Sequence, residues 1–232
     1  MDGPKINLGS WAHAPESWIN IDGSWNAWLS QRPRLRRVAE AVGVLPDWAS
    51  DTEWPPNIVV HDLRKPLPFP DGFAAAIYGS HVLEHLYLDE AERLLAECFR
   101  VLRPGGILRL VVPDLRAVID EYLGERPFAD SEQKAAEFSR ADRMNERLGL
   151  RDRHAPRGNP AYRTYAALKD FHSHKWMYDA ESLTARFEAA GFGDVREQGY
   201  LESRIEEIEE VELRNRVIDE CGLCIEGTKL TK

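Results

Sequence analysis

Cysteine is scarce in this chain, with three residues in 232. Cys98 stands alone and Cys221 and Cys224 form a close pair, too few for a disulfide framework, so a reducing compartment is expected. No apolar run approaches the roughly 20 residues that a membrane-spanning helix needs. The start, Met1 to Leu8, lacks the basic region, hydrophobic stretch and small-residue cleavage site of a secretory signal. The expectation is a cytoplasmic protein without a membrane partner. Positive charge is in deficit, 30 Lys and Arg against 39 Asp and Glu, for a net charge of −9. That balance argues against nucleic acid as a partner, because such binding relies on clustered cations that displace counterions. The one basic run, Arg32, Arg34, Arg36 and Arg37, reads as a solvated helix face flanking Leu35 and Val38. No Gly-x-Gly-x-x-Gly follows the first strand candidate, which disfavours a nicotinamide-dependent dehydrogenase. There is no internal repeat and no low-complexity segment apart from an acidic stretch near the C-terminus.

What remains is an ordinary globular composition, 43% hydrophobic and 30% charged, enough for a single domain over 1–232 with one buried core. Short apolar runs end abruptly on polar residues. Lys5 to Leu8 stops at Gly9-Ser10, Trp18 to Asp22 ends on an acid, and Ile58 to Val60 ends at His61-Asp62. Ala74 to Tyr78 ends at Gly79-Ser80-His81, and Ile107 to Val112 at Pro113-Asp114. Runs of this kind read as buried parallel strands. Helical spacing appears between Asn26 and Val44, from Asp89 to Val101 and from Asp179 to Ala190, with Gly191 as the last stop. Ser131 to Leu148 and the Glu-rich Ser203 to Asp219 are also read as helices. Arg151 to Ala161 reads as a loop, and Asp194 to Gln198 and Leu223 to Lys229 as closing strands. Alternating strands and helices give a doubly wound, mostly parallel seven-stranded α/β sheet with an antiparallel C-terminal strand. In such sheets ligands bind at the carboxyl ends of the strands, where strand order reverses. A carboxylate such as Asp22 can accept both hydroxyls of a ribose there, while Gly9 lets a cofactor approach the backbone.

The stretch Val60-His61-Asp62-Leu63-Arg64-Lys65-Pro66-Leu67-Pro68-Phe69-Pro70-Asp71-Gly72-Phe73 is followed by Ile77-Tyr78-Gly79-Ser80-His81-Val82-Leu83-Glu84-His85-Leu86. With Arg100-Val101-Leu102-Arg103-Pro104-Gly105-Gly106-Ile107-Leu108 these segments resemble the class I S-adenosylmethionine-dependent methyltransferases, particularly the small-molecule and surface-glycan-cluster type. The resemblance covers most of the chain and implies a Rossmann-like methyltransferase fold. It also implies S-adenosylmethionine as cofactor and O-methylation of a sugar or glycan precursor as the activity, within polysaccharide or small-molecule biosynthesis. Carried residue by residue, it gives Gly9 and Ser10 the methionine part of the cofactor and Asp22 the ribose hydroxyls. Asp62 with the Leu63 backbone takes the adenine, and Ser80 and His81 flank the methyl group. The segment from His174 to Tyr178, then Leu183, Ala190-Gly191-Phe192 and Ile225 to Lys229 resemble the family's last helix and closing antiparallel hairpin.

Methyl transfer is an in-line displacement, so alignment and exclusion of water carry most of the catalysis. A hydroxyl acceptor benefits from a base, and His81 and His85, four residues apart with Glu84 beside them, are the candidates. The alternative for both is a hydrogen bond to backbone at a strand end. Asp114 either holds the acceptor or caps the helix that starts at Leu115. His172 and His174, near Asp170, are candidates for the acceptor pocket. They lack the matched ligand set of a metal site, and none is assigned. The acceptor side is expected as an insertion at about 124–178, and the acidic segment offers an apolar face to the core or to a second subunit of a homodimer. Trp11 stands where the family usually carries another glycine, and the Gly9 to Asp22 connection is too short for a full helix. That departure keeps an alternative open, a degenerate methyltransferase-fold protein serving as a non-catalytic binding or assembly module.

Overall fold

The computed structural model describes residues 3–41, 52–127, 139–149, 173–219 and 221–231. Seven strands form one sheet: β1 (Lys5–Leu8), β2 (Ile19–Asp22), β3 (Ile58–Val60), β4 (Ala74–Ser80), β5 (Leu102–Pro113), β6 (Gly193–Gln198) and β7 (Gly222–Thr228). Their order is β3-β2-β1-β4-β5-β7-β6. The pairs β1·β2, β2·β3, β1·β4 and β4·β5 are parallel, and β7 runs antiparallel to both β5 and β6. This is the mostly parallel Rossmann-like sheet expected from the alternating pattern. The order reverses between β1 and β4, which places the crevice at the carboxyl ends of those two strands.

Six α-helices are described: α1 (Trp25–Ser30), α2 (Pro33–Ala41), α3 (Leu88–Val101), α4 (Leu115–Leu123), α5 (Arg140–Leu148) and α6 (Ala180–Ala189). On α3, Ala91, Leu94, Leu95, Cys98 and Val101 form a stripe at three- and four-residue spacing and are all buried. They pack with Leu183 and Phe187 of α6 on the Ile77, Leu108 and Leu110 face of the sheet. Each fully buried Leu or Ile there contributes about 1.5–3 kcal/mol. The helix starts are chemically defined. Asp114 caps α4 by accepting the Arg116 N–H, Ser139 and Asp142 form a capping box at α5, and Asp179 and Ser182 form one at α6.

The other face of the sheet is covered differently. No helix lies between β1 and β2; their connection is held by the register pair Asn7 and Asn20, whose side chains bond at 3.0 Å in the interior. The Asn20 amide then donates to the carbonyls of Pro15 and Trp18. The space such a helix would fill is taken by the link between β6 and β7, residues 199–221. Its Ile205, Ile208, Val211 and Val217 pack with Trp18, Ala76, Tyr78 and Val111.

Several expectations are corrected. The segment Ser203 to Asp219 is not one helix: it holds only a 3-10 turn at Ile208–Glu210 and a π-turn at Asn215–Asp219. Its apolar positions follow the sheet face they cover, and carboxylates such as Glu210 and Glu212 bond to other parts of the chain instead of lining a solvated side. The closing strands are antiparallel, but the link between them is long, so they do not form a tight hairpin. The span from Asn26 to Val44 is broken into α1 and α2 at Arg32-Pro33, because the proline supplies no N–H to a continuing helix. Strand β5 begins at Leu102, immediately after α3, and Gly105 turns within it at φ 79. The helical reading from Ser131 is confirmed only for α5, since 128–138 lie outside the described residues, as does the loop 151–161. Of the basic run, Arg34, Arg36 and Arg37 lie on α2, which has no buried residue, with Arg36 paired to Glu40, while Arg32 precedes the helix and stacks on Trp28.

Candidate active site at the strand ends

The crevice is built from the turn after β1 and the ends of β2, β3 and β4. Gly9 has φ 64, in the region that favours glycine, and a Cβ there would stand 2.4 Å from Cγ2 of Val82. Ser10 is buried and tied to β2 through its N–H to the Ile21 carbonyl at 3.0 Å. Trp11 follows at φ 48, half-exposed, with its ring edge-on to Trp54. The Trp11 N–H donates to Oδ2 of Asp22 at 2.9 Å, and the Ser24 N–H donates to Oδ1 at 2.8 Å. Asp22 is therefore fixed at the end of β2 with one backbone N–H on each oxygen. A carboxylate oxygen accepts more than one bond, so each keeps capacity for a further hydroxyl.

Beyond β3, Asp62 is gripped by Arg64, whose Nε and Nη2 each donate at 2.8 Å. That bidentate pair is the main cause holding the Asp62 carboxyl below the ordinary aspartate value. Leu63 packs on the core beside it. His61 lies next to Asp22, its N–H donating to the Asp22 carbonyl at 3.3 Å, and its buried Nε2 has no hydrogen-bond partner among the described residues. A buried polar atom left without a partner is uncommon and can accept a ligand or a water. Glycine at the first turn, Asp22, Asp62 and His61 together fit a ribose-bearing cofactor.

At the end of β4, Ser80 is half-buried, and His81 takes φ 55. Both His81 ring nitrogens are committed. Nε2 lies 3.1 Å from the Arg216 carbonyl, which only accepts, and Nδ1 lies 3.1 Å from Oε1 of Glu84. With its side chain 7% exposed, His81 is placed to hold Glu84 and the 199–221 link, which is the backbone-bonding alternative. His81 and His85 do not share one helical face as the four-residue spacing suggested. A short 3-10 turn, Leu83–His85, instead brings both rings onto Glu84.

Glu84, rather than either histidine beside it, is the centre of the cluster. Burial alone raises its carboxyl, but the hydrogen bond from His81 and the nearby imidazoles overcome this and hold it below the ordinary glutamate value. Burial, with His174 adding to it, pushes His85 below its ordinary value against the pull of Glu84. His174 arrives from far along the chain: the Glu84 carbonyl accepts the N–H groups of Lys175 and Trp176, and the His85 and His174 ring centroids stand 5.1 Å apart. Its joining to His85 had no local signal in the sequence. Asp114 stands apart, its side chain used as the α4 cap and its N–H given to the Cys221 carbonyl. His172 and Asp170 lie outside the described residues.

Comparison with known proteins places these observations. Residues 32–110 match the family described as "Methyltransferase domain". A stretch of 48 residues is 44% identical to a probable S-adenosylmethionine-dependent methyltransferase of Mycolicibacterium smegmatis, covering 21% of this chain and 18% of that protein. The match thus spans about a fifth of the relative's length. The YcgJ protein of Bacillus subtilis superposes over 100% of this chain and 93% of its own, with a TM-score of 0.50 and 14% identity. A possible histamine N-methyltransferase of Thermotoga maritima aligns over 99% and 83%, at a TM-score of 0.45 and 15% identity. The chain has a Rossmann-like methyltransferase fold, and the family match covers about a third of it, all in the first half.

Proposed function

We propose that this chain is an S-adenosylmethionine-dependent methyltransferase acting on a small molecule, at an oxygen of a sugar or glycan precursor. The observation that carries the reading is Asp22. It ends β2 beside the reversal of strand order with one backbone N–H on each carboxylate oxygen, and the neighbouring strand runs out to His61, whose buried Nε2 has no hydrogen-bond partner among the described residues. The matched segment 32–110 supports it. In this reading Asp22 takes the ribose hydroxyls, Asp62 and the Leu63 backbone meet the adenine, and Gly9 and Ser10 turn the chain around the methionine part. Ser80 closes the methyl end, and Asp114 remains at the rim of the acceptor side. The bound cofactor supplies an electrophilic sulfonium methyl group. The protein's part is to align the acceptor oxygen in line with it, exclude water and receive the hydroxyl proton. That last task falls to the Glu84, His85 and His174 cluster, because the ring nitrogens of His81 are engaged.

Calorimetric titration of the purified chain with S-adenosylmethionine, and separately with S-adenosylhomocysteine, tests this reading. Saturable one-site binding of both is expected, followed by transfer of labelled methyl to a sugar in an acceptor screen. Absence of binding at about millimolar ligand, roughly −4 kcal/mol of binding free energy, would refute it. The non-catalytic module would then be the better description.

A further inference from the structure

Glu84, His85 and His174 have more organisation than proton transfer needs. The Glu84 side chain is 0% exposed, with His81 Nδ1 at 3.1 Å from Oε1, and its Oε2 has no hydrogen-bond partner among the described residues. A carboxylate removed from water is costly unless it is paired, hydrogen-bonded or bound to a metal. One ligand atom from each of the three residues lies within 4.8 Å of the other two. Metal bonds of about 2.0–2.2 Å are within reach of small side-chain rotations from that spacing.

We propose that Glu84, His85 and His174 form a binding site for a divalent transition-metal ion. Two imidazoles and one carboxylate suit zinc, cobalt or ferrous iron better than magnesium or calcium, which favour oxygen alone. The surroundings orient the ligands as metal-bound histidines require. His85 Nδ1 faces the Ser173 carbonyl at 3.4 Å, which places the proton there and leaves the Nε2 lone pair for the cluster, 4.0 Å from Oε1 of Glu84. His174 is seated by its N–H to the Gly149 carbonyl at 2.8 Å. Gly149, at φ 61, leaves room for the ring, since a Cβ there would stand 2.5 Å from the imidazole. His81 holds the carboxylate from the other side. Three protein ligands leave coordination positions open, and the His85 side chain, 30% exposed, opens the cluster to solvent. With the ion bound, an acceptor hydroxyl there would be oriented and made more acidic, and its proton would pass to solvent, because the ion rather than a proton then takes the lone pairs of the three side chains. That role rests on the methyl-transfer reading, whereas binding of the ion does not.

The test is titration of chelator-treated, dialysed full-length chain with cobalt(II) chloride, followed by calorimetry and by visible d–d absorption. S-adenosylhomocysteine is titrated in parallel. One-site cobalt binding with a d–d band is expected, weakened at least about a hundredfold in His85→Ala and in His174→Ala, and about tenfold in Gly149→Ala. Circular dichroism establishes that each variant is folded. No saturable cobalt binding below about 1 mM, or equal binding in the folded His85→Ala and His174→Ala variants, would overturn the site. Cobalt binding without S-adenosylhomocysteine binding upholds the ion site and refutes the nucleoside site; the reverse result upholds the nucleoside site alone.

Discussion

Arg109 sits in the middle of β5 with its side chain 0% exposed, and its removal has a large expected cost. All five guanidinium N–H donors are used. Nε and Nη2 grip Glu212 at 2.7 and 2.9 Å, Nη1 reaches Glu226 at 3.2 Å, and the Glu202 and Gly199 carbonyls accept at 3.0 and 2.9 Å. Arg109→Met keeps most of the volume but leaves the Glu212 and Glu226 side chains, both 0% exposed, without their central cation. Glu226 retains Arg204 at 3.2 Å, together with Ser203, so most of the penalty falls on Glu212. Breaking a buried pair from one side costs about 3–5 kcal/mol. At roughly 2–4 °C per kcal/mol for a domain of this size, the midpoint of thermal unfolding should fall by about 6–20 °C. Urea unfolding gives the free energy directly, and adding Glu212→Gln to Arg109→Met should recover part of the loss, because it removes the stranded charge. A loss below about 1 kcal/mol for Arg109→Met, in the range of exposed ion pairs, would refute the description of this network as buried and coupled.

Three further outcomes are expected. Asp62→Ala should weaken S-adenosylhomocysteine binding by roughly ten- to a hundredfold in calorimetry, the worth of a hydrogen bond to a charged group; unchanged affinity would move the adenine pocket elsewhere. Gly9→Ala should destabilise by about 1–2 kcal/mol from its φ of 64, plus its clash with Val82. Adding Val82→Ala should relieve only the clash, and urea midpoints separate the two contributions. Asp179 is held below its ordinary value of 3.8 chiefly by the Ser182 N–H and hydroxyl. Its folded value lies below the unfolded one, so its stabilisation is complete above the unfolded value and lost as pH falls through the folded one. Asp179→Asn keeps a capping side chain and should flatten the decline in stability below about pH 4, as measured by urea unfolding across pH.

The sheet was readable because a strand buried on both faces must be largely apolar, as Ala74 to Tyr78 is and as Ile107 to Val112 is apart from Arg109, and its polar ending marks the crevice. The same rule locates Asp22 at the end of β2 and Asp62 just beyond β3. Other features escaped because their partners are remote in sequence. Glu84 gains its importance from His174 and from the Lys175 and Trp176 N–H groups, and no local pattern carries that pairing. The link 199–221 looked helical because it is rich in Glu, yet its carboxylates are spent on Arg109, Trp18, Ser17 and Lys5. One signal was available for the charged network. An arginine inside the apolar run Leu108-Arg109-Leu110 needs a buried anion, and Glu226, flanked by Ile225, is its register partner on β7.

The missing helix between β1 and β2 bears on how the chain reaches its folded state. Because residues 199–221 shelter Trp18 and Tyr78, strands β1, β2 and β4 stay uncovered on one face until that link has been translated. The contacts that seat this link span almost 200 residues of sequence or more, as in the bond from His13 to the Glu210 carbonyl and that from Lys5 to Glu207. Long-range closure of this kind slows folding and leaves apolar surface open to aggregation in the interval. A nascent chain stalled before residue 199 would therefore expose that face to a chaperone, and the crevice would be backed on that side only once residues 199–221 have emerged from the ribosome.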